Sequence, residues 1–244
     1  MNKKVGFSSR LFLFLGICIM KRLSNSLVIA VLLVCSLSAS VYAQQPKSTI
    51  TIARLKYSGG GDWYNDPSSL PNMLDFIKKN TFVSVANEEA QVSIMDEEFF
   101  SHPFVFMTGH GRVSFSDQEV ERLRTYLTHG GFLYVDDDYG IDEHFKREFA
   151  KVFPNKELVE LPFSHPIFHH HFEFSNGLPK IHEHDGGPPQ AFAYFHKGRM
   201  VVFYSFNTNI SDGWADAEVH GNPEAVRQNA LKMGTNIITF ALTQ

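Results

Sequence analysis

Aspartate, histidine and tryptophan gather in a few short segments of this chain, and their types bound the chemistry it can perform. Asp136-Asp137-Asp138 directly follows an apolar run. Carboxylates placed there can accept hydrogen bonds, hold a cation or move a proton. One such side chain suffices to cap a following helix, and charges in its first turn suit the helix dipole, so capping does not require all three. Asp62, Trp63 and Tyr64 follow Gly59-Gly60-Gly61, and His110 lies in Thr108-Gly109-His110-Gly111. His165 precedes Pro166, and the 207–214 segment brings Asp212 and Trp214. Imidazole with carboxylate suits zinc, iron or manganese. Trp63, Tyr64 and Trp214 offer stacking surfaces for a sugar or another small molecule. The triple glycine lacks the spacing and the glycine-to-helix junction that cradle a pyrophosphate, and it fits a flexible turn as well as a close ligand approach.

The most conspicuous histidines are His165, His169, His170, His171, His182 and His184, with Glu173, Glu183 and Asp185 among them. No HExxH spacing occurs, and adjacent histidines on a strand point to opposite faces. Residues 182–189 read as an exposed loop, which assigns most of this group to solvated surface. His165 is kept as a ligand candidate because Pro166 stiffens it and a strand precedes it. Asp137, Asp138 and His165 are therefore the expected holders of a divalent metal, should one bind.

These residues need elements to position them. Residues 49–57 are rich in β-branched side chains and read as a first strand. A helix begins near Ser69, with Pro71 in its first turn and Leu70, Leu74 and Ile77 at helical spacing. A short strand is expected over 82–85, continuing through 92–94, and buried strands over 104–107 and 132–135. Ser116-Asp117-Gln118-Glu119 fits a capping box, Val120, Leu123 and Leu127 form one stripe, and Gly130-Gly131 stops that helix. A helix with Phe145, Phe149 and Val152 runs to Pro154, and a strand is expected over 158–161. Residues 191–196 and 199–206 alternate around Lys197-Gly198 as a hairpin. Asn222-Pro223 opens a final helix carrying Val226, Ala230, Met233, Ile237 and Phe240. Strands alternating with helices, then a hairpin, predict a three-layer α/β domain with a mostly parallel sheet. Ligands of such sheets bind at the carboxyl ends of the strands. That rule gathers Asp62, Trp63, Tyr64, His110, Asp136, Asp137, Asp138, His165, Asp212 and Trp214 into one expected site.

The chain opens with two apolar runs, 11–20 and 27–41, separated by Lys21-Arg22. Neither reaches the roughly 20 apolar residues that span a bilayer. A basic start, an apolar stretch and small residues ending Val41-Tyr42-Ala43 have the layout of a signal peptide cleaved before Gln44. Met20 is an alternative start, which would make residues 1–19 an extension. A short linker, 44–48, and a single domain, 49–244, follow. The expected location is the periplasm or the exterior. Both cysteines, Cys18 and Cys35, lie in the leader. The leader also carries five of the 22 Lys and Arg residues, leaving 17 against 26 Asp and Glu. That balance argues against nucleic acid, whose binding rests on cationic side chains.

Tyr57-Ser58-Gly59-Gly60-Gly61-Asp62-Trp63-Tyr64, Thr108-Gly109-His110-Gly111, Gly130-Gly131-Phe132-Leu133 with Asp137-Asp138, and His165-Pro166-Ile167-Phe168 resemble the bacterial family called domain of unknown function 4159. The resemblance covers nearly all of 49–244. It implies a fold similar to class I glutamine amidotransferases and to ThuA-like proteins. In amidotransferases a Gly-x-Cys-x-Gly elbow follows a strand; Asp136-Asp137-Asp138-Tyr139-Gly140 matches it with Asp138 at the cysteine position. His165-Pro166-Ile167 does not supply the later His-Pro-Glu motif. A thiolate is the nucleophile of that chemistry and an aspartate cannot replace it, so amidotransferase activity is excluded. Three functions stay open: an envelope domain binding a small molecule or sugar, a metal-dependent hydrolase using Asp137, Asp138 and His165, and an assembly partner of membrane proteins.

Overall fold

The computed structural model describes residues 49–182 and 186–244. The expected leader with Cys18 and Cys35, its cleavage point and the 44–48 linker lie outside the described residues, as do Glu183, His184 and Asp185. No helix of the described residues is long and apolar enough to cross a membrane.

Seven strands form one sheet: β1 (Ile52–Leu55), β2 (Ala90–Val92), β3 (Phe104–Met107), β4 (Phe132–Asp136), β5 (Val159–Glu160), β6 (Gln190–His196) and β7 (Arg199–Phe206). Their spatial order is β2-β1-β3-β4-β7-β6-β5. β1, β2, β3, β4 and β7 run parallel, and β6 is antiparallel to both β7 and β5. β1, β3 and β4 are buried along their whole length, which is why 104–107 and 132–135 read as unbroken apolar runs, while Arg54 interrupts β1. Alternate residues feed two cores. Phe104, Phe106, Phe132, Tyr134 and Phe203 pack on one face, and Val105, Met107, Leu133, Val135 and Tyr204 on the other. Helices α1 (Ser69–Asn80) and α5 (Glu224–Thr243) line the first core; α2 (Asp117–Thr128) and α3 (Asp142–Val152) line the second. The result is the three-layer α/β domain expected.

Local signals fix several of these elements. Ser116 Oγ accepts from Glu119 N while the Glu119 carboxylate accepts from Ser116 N at 2.8 Å, the reciprocal box that starts α2. The hairpin and the final helix form where their patterns placed them. The 82–85 strand does not: only Val85 makes a bridge, to Ile50, and β2 begins at Ala90. Thr81 Oγ1 accepts from Val83 N at 3.1 Å, so a local turn takes a donor the strand would have used. The short helix α4 (Ala217–His220) and the 3-10 turn Ile210–Gly213 had no periodic signal.

From β1 the chain passes to β2 on one side, then to β3 and β4 on the other, so the strand order reverses between β1 and β3. The carboxyl ends of these strands and of β7 form the rim on which a site should sit. Trp214 lies below that rim. It is fully buried against Phe106 and Tyr134, its Nε1 donates to Ala230 O at 2.9 Å, and a Cβ at Gly234 would come within 2.5 Å of its ring. The expected stacking surface is thus a core anchor pinning the 210–214 segment to α5. Trp214→Ala should cost about 3–5 kcal/mol of folding stability, read as a lower urea midpoint at unchanged m.

Candidate metal centre

The three aspartates that end β4 do three different jobs. Asp136 is fully buried; it accepts from Ser205 Oγ, and from Ser211 N at 2.6 Å and Ser211 Oγ at 2.7 Å. It joins β4, β7 and the Ile210–Gly213 turn, and burial raises its pKa against those donors. Asp137 Oδ1 accepts from Tyr139 N at 3.3 Å and Ile141 N at 3.1 Å, so it closes the turn that leads into α3. Burial outweighs those bonds and pushes it up to about 6. Asp138 alone faces the rim. Asn209 Nδ2 donates to its Oδ1 at 2.8 Å, Asn65 Nδ2 donates to its Oδ2, and His110 Nδ1 stands 3.6 Å from that Oδ2. Tyr139 beside it has φ 109°, a region non-glycine residues seldom occupy.

Asp212 meets Asp138 from the Ile210–Gly213 turn. Its Oδ2 lies 2.8 Å from His182 Nδ1, 3.4 Å from Asn209 Nδ2 and 3.7 Å from His220 Nδ1. Its Oδ1 is buried and receives no donor. Oxygens of the two carboxyl groups lie within 4.8 Å of each other, where two ionised carboxylates repel. Burial, then the charges of Asp138, Asp136 and Asp66, push Asp212 up to about 10. Burial pushes Asp138 up to about 6, with Asp212 and His110 pulling the other way.

A second set of elements completes the cluster. His220, at the end of α4, places Nε2 2.8 Å from Asp66 Oδ2, and its ring stands perpendicular to His182 with centroids 5.3 Å apart. Asp66 sits in a loop after β1 with φ 46°. Arg54 of β1, 1% exposed, holds that loop: its guanidinium donates to Asn65 O at 3.0 Å, Asp66 O at 3.4 Å and Ser69 Oγ at 3.1 Å, and pairs with Glu89 at 3.0 Å. Two donor sets therefore converge, His182, Asp212 and His220, and Asp66, Asp138 and Asp212, each with its donor atoms within 4.8 Å of one another. Nitrogen with carboxylate oxygen is the donor chemistry of zinc, iron or manganese.

Asp62, Trp63, Tyr64 and His110 stand at the mouth. Asp62 accepts from His110 N at 2.5 Å and lies 3.0 Å from His110 Nδ1, which aligns the ring. Trp63 and Tyr64 meet edge to face at 5.5 Å, and Tyr64 is 63% exposed. The glycines here are there for close approach: Gly109 has φ +136°, and a Cβ on it would lie 2.4 Å from the buried Tyr57 hydroxyl.

His165 is elsewhere. Its Nδ1 accepts from Ile167 N at 3.2 Å, and its ring packs against Phe195 and Phe240. Phe195 pairs with Met200 at the start of β7, whereas Asp136 pairs with Ser205 at its end, roughly 16 Å along the strand. Proline does stiffen this histidine, but it does so to open a 3-10 turn. Asp137, Asp138 and His165 thus do not form one ligand set: Asp137 holds the turn before α3, His165 is distant, and Asp138 belongs with Asp66, Asp212, His182 and His220. Of these, Asp66 and His220 carried no motif. His182 had been assigned to exposed loop, although its own side chain turns onto Asp212.

An α/β domain with two buried carboxyl groups flanked by half-buried imidazoles on the carboxyl rim of its sheet is what fold and site define. The chain belongs to the family described as domain of unknown function (DUF4159), whose model matches residues 51–242. No curated protein matches the chain.

The raised carboxyls set a pH dependence. Their protonated forms stabilise the metal-free fold fully below the ordinary aspartate value, roughly pH 4. That contribution is lost as pH rises through about 6 for Asp138 and onward toward about 10 for Asp212. Asp212→Asn supplies a permanent neutral partner. It should stabilise the metal-free chain at pH 8 by about 1–3 kcal/mol and change little at pH 4.5, as read by urea unfolding at both values.

Proposed function

We propose that this chain is a hydrolase dependent on a divalent cation held by His182, Asp212 and His220. One observation carries the reading: Asp212, buried and facing Asp138, is approached by two imidazoles yet keeps an oxygen without a donor. A bound cation would supply a water of lowered pKa. The chain's own residues would do the rest. Asp66 accepts from His220 Nε2, leaving Nδ1 for Asp212 and the cation, the usual arrangement of a carboxylate behind a ligating histidine. Asp138, held by Asn65 and Asn209, is placed to take a proton, and the Asp62–His110 pair lines the approach.

An amidotransferase-like or ThuA-like origin is part of this reading. The β4–turn–α3 junction is reused with an aspartate at the elbow, and the thiol chemistry is replaced. The leader would direct this activity to the cell envelope. A second reading, a binding domain for a sugar or another small molecule without catalysis, is favoured by the exposed Tyr64 ring standing on the half-buried Trp63 beside the rim.

Chelator-treated protein should gain about 2.7 kcal/mol on adding zinc or manganese at a hundredfold excess over Kd, roughly a 5–10 °C rise in Tm. Asp212→Asn should abolish the rise with either metal and His182→Ala the rise with zinc, while Asp137→Asn retains both. The metal-loaded wild type should also hydrolyse at least one member of a panel of chromogenic phosphate, carboxylate and glycoside substrates. No metal response would overturn the hydrolase reading and leave the binding domain. A metal response without hydrolysis would reduce the centre to a binding site.

A further inference from the structure

Resting on the metal reading above, we infer that the centre holds two cations that share Asp212, one bound through nitrogen and one through oxygen alone. The two donor sets have only Asp212 in common. On one side stand His182 and His220, with Asp212 Oδ2 2.8 and 3.7 Å from their Nδ1 atoms. On the other stand Asp66 and Asp138. Two buried acceptors lack a donor, Asp212 Oδ1 and Asn65 Oδ1, the latter on the amide whose nitrogen already donates to Asp138. Asp212 is 2% exposed, so that oxygen is turned into the centre and away from bulk solvent. An acceptor buried without a donor is what a cation satisfies and a further hydrogen-bond acceptor does not.

Charge balance points the same way. Asp66, Asp138 and Asp212 converge with Asp136 behind them, and Arg54, the cation beneath the loop, is already paired with Glu89. One divalent ion leaves three close carboxylates incompletely neutralised; two do not. The donor types differ as well. Two imidazoles and a carboxylate suit zinc or iron, whereas carboxylates with an amide oxygen suit manganese or magnesium. A pair of cations sharing a carboxylate, about 3.5–4 Å apart, clamps the attacking and leaving oxygens of an in-line displacement. The substrate class assigned to this centre is therefore a phosphate ester.

Metal content decides it. Metal-free protein is loaded with excess zinc and manganese together, freed of unbound ions by gel filtration and analysed by plasma mass spectrometry. The wild type should retain two equivalents, one of each metal. Asp66→Asn should keep zinc and lose manganese, His182→Ala should keep manganese and lose zinc, and Asp212→Asn should lose both. Circular dichroism checks that each variant is folded, and Asp138→Asn replaces Asp66→Asn if the latter is not. Inorganic phosphate, titrated calorimetrically into loaded protein, should bind at least tenfold more tightly to wild type than to Asp66→Asn. One equivalent in the wild type overturns the two-cation centre and leaves the single-metal reading standing; none overturns both. Two equivalents with equal phosphate affinity in wild type and variant would overturn the phosphate-ester assignment.

Discussion

Two carboxyl groups, Asp138 and Asp212, face each other in a place from which water is nearly excluded, and much of the surrounding architecture follows from that juxtaposition. Full charges about 4 Å apart repel by about 4 kcal/mol at the effective dielectric of a protein surface, and a single hydrogen bond returns only about 1 kcal/mol. Asn65, Asn209 and His182 each approach this pair, and together they still leave one Asp212 oxygen without a donor. A proton shared between the two carboxyl groups relieves that repulsion, and the raised Asp212 holds it past neutral pH; the proposed cation would take its place. The fold supplies the remaining stability from two aromatic-rich cores on either side of the sheet. It can therefore carry a polar cluster that destabilises it locally.

The residues of the cluster come from five places in the chain, and two of these segments are held from behind. Arg54 anchors the loop with Asn65 and Asp66 by donating to its carbonyls from inside β1. Asp136 anchors the 210–213 turn through Ser211. Trp214 fixes the same segment to α5, and Asn72 Nδ2 donates to Trp214 O at 2.9 Å. These supports are themselves buried polar or amphipathic groups, so the site is positioned by hydrogen bonds that cannot exchange readily with solvent.

The sequence carried the sheet and most helices openly, because their signals are local. Residues 104–107 and 132–135 are unbroken apolar runs, and the Ser116–Glu119 box spans four residues. The strand-end rule also pointed to Asp62, His110, Asp138 and Asp212 on the rim. What it could not supply were pairings between distant segments. Asp66 and His220 are 154 positions apart, and neither stands in a motif. Nothing near Trp214 in sequence tells a core anchor from a stacking surface; that depends on Phe106, Tyr134 and Ala230. His165 misled because proline rigidity was read as preparation for a ligand, when it was preparation for a turn. The unrecognised clue was Arg54, a charge inside an apolar strand, which demanded a buried polar network near the end of β1.

The Asp136 junction has a mechanical meaning. Because one carboxylate bonds Ser205 on one strand and Ser211 in the turn beyond the next connection, the floor of the centre is welded to the sheet. A floor of that kind cannot adapt its shape to different guests. Discrimination among them falls to the loop after β1, where Tyr64 stands outside the welded frame. Relatives that acquire new preferences are expected to differ in that loop while keeping the floor unchanged.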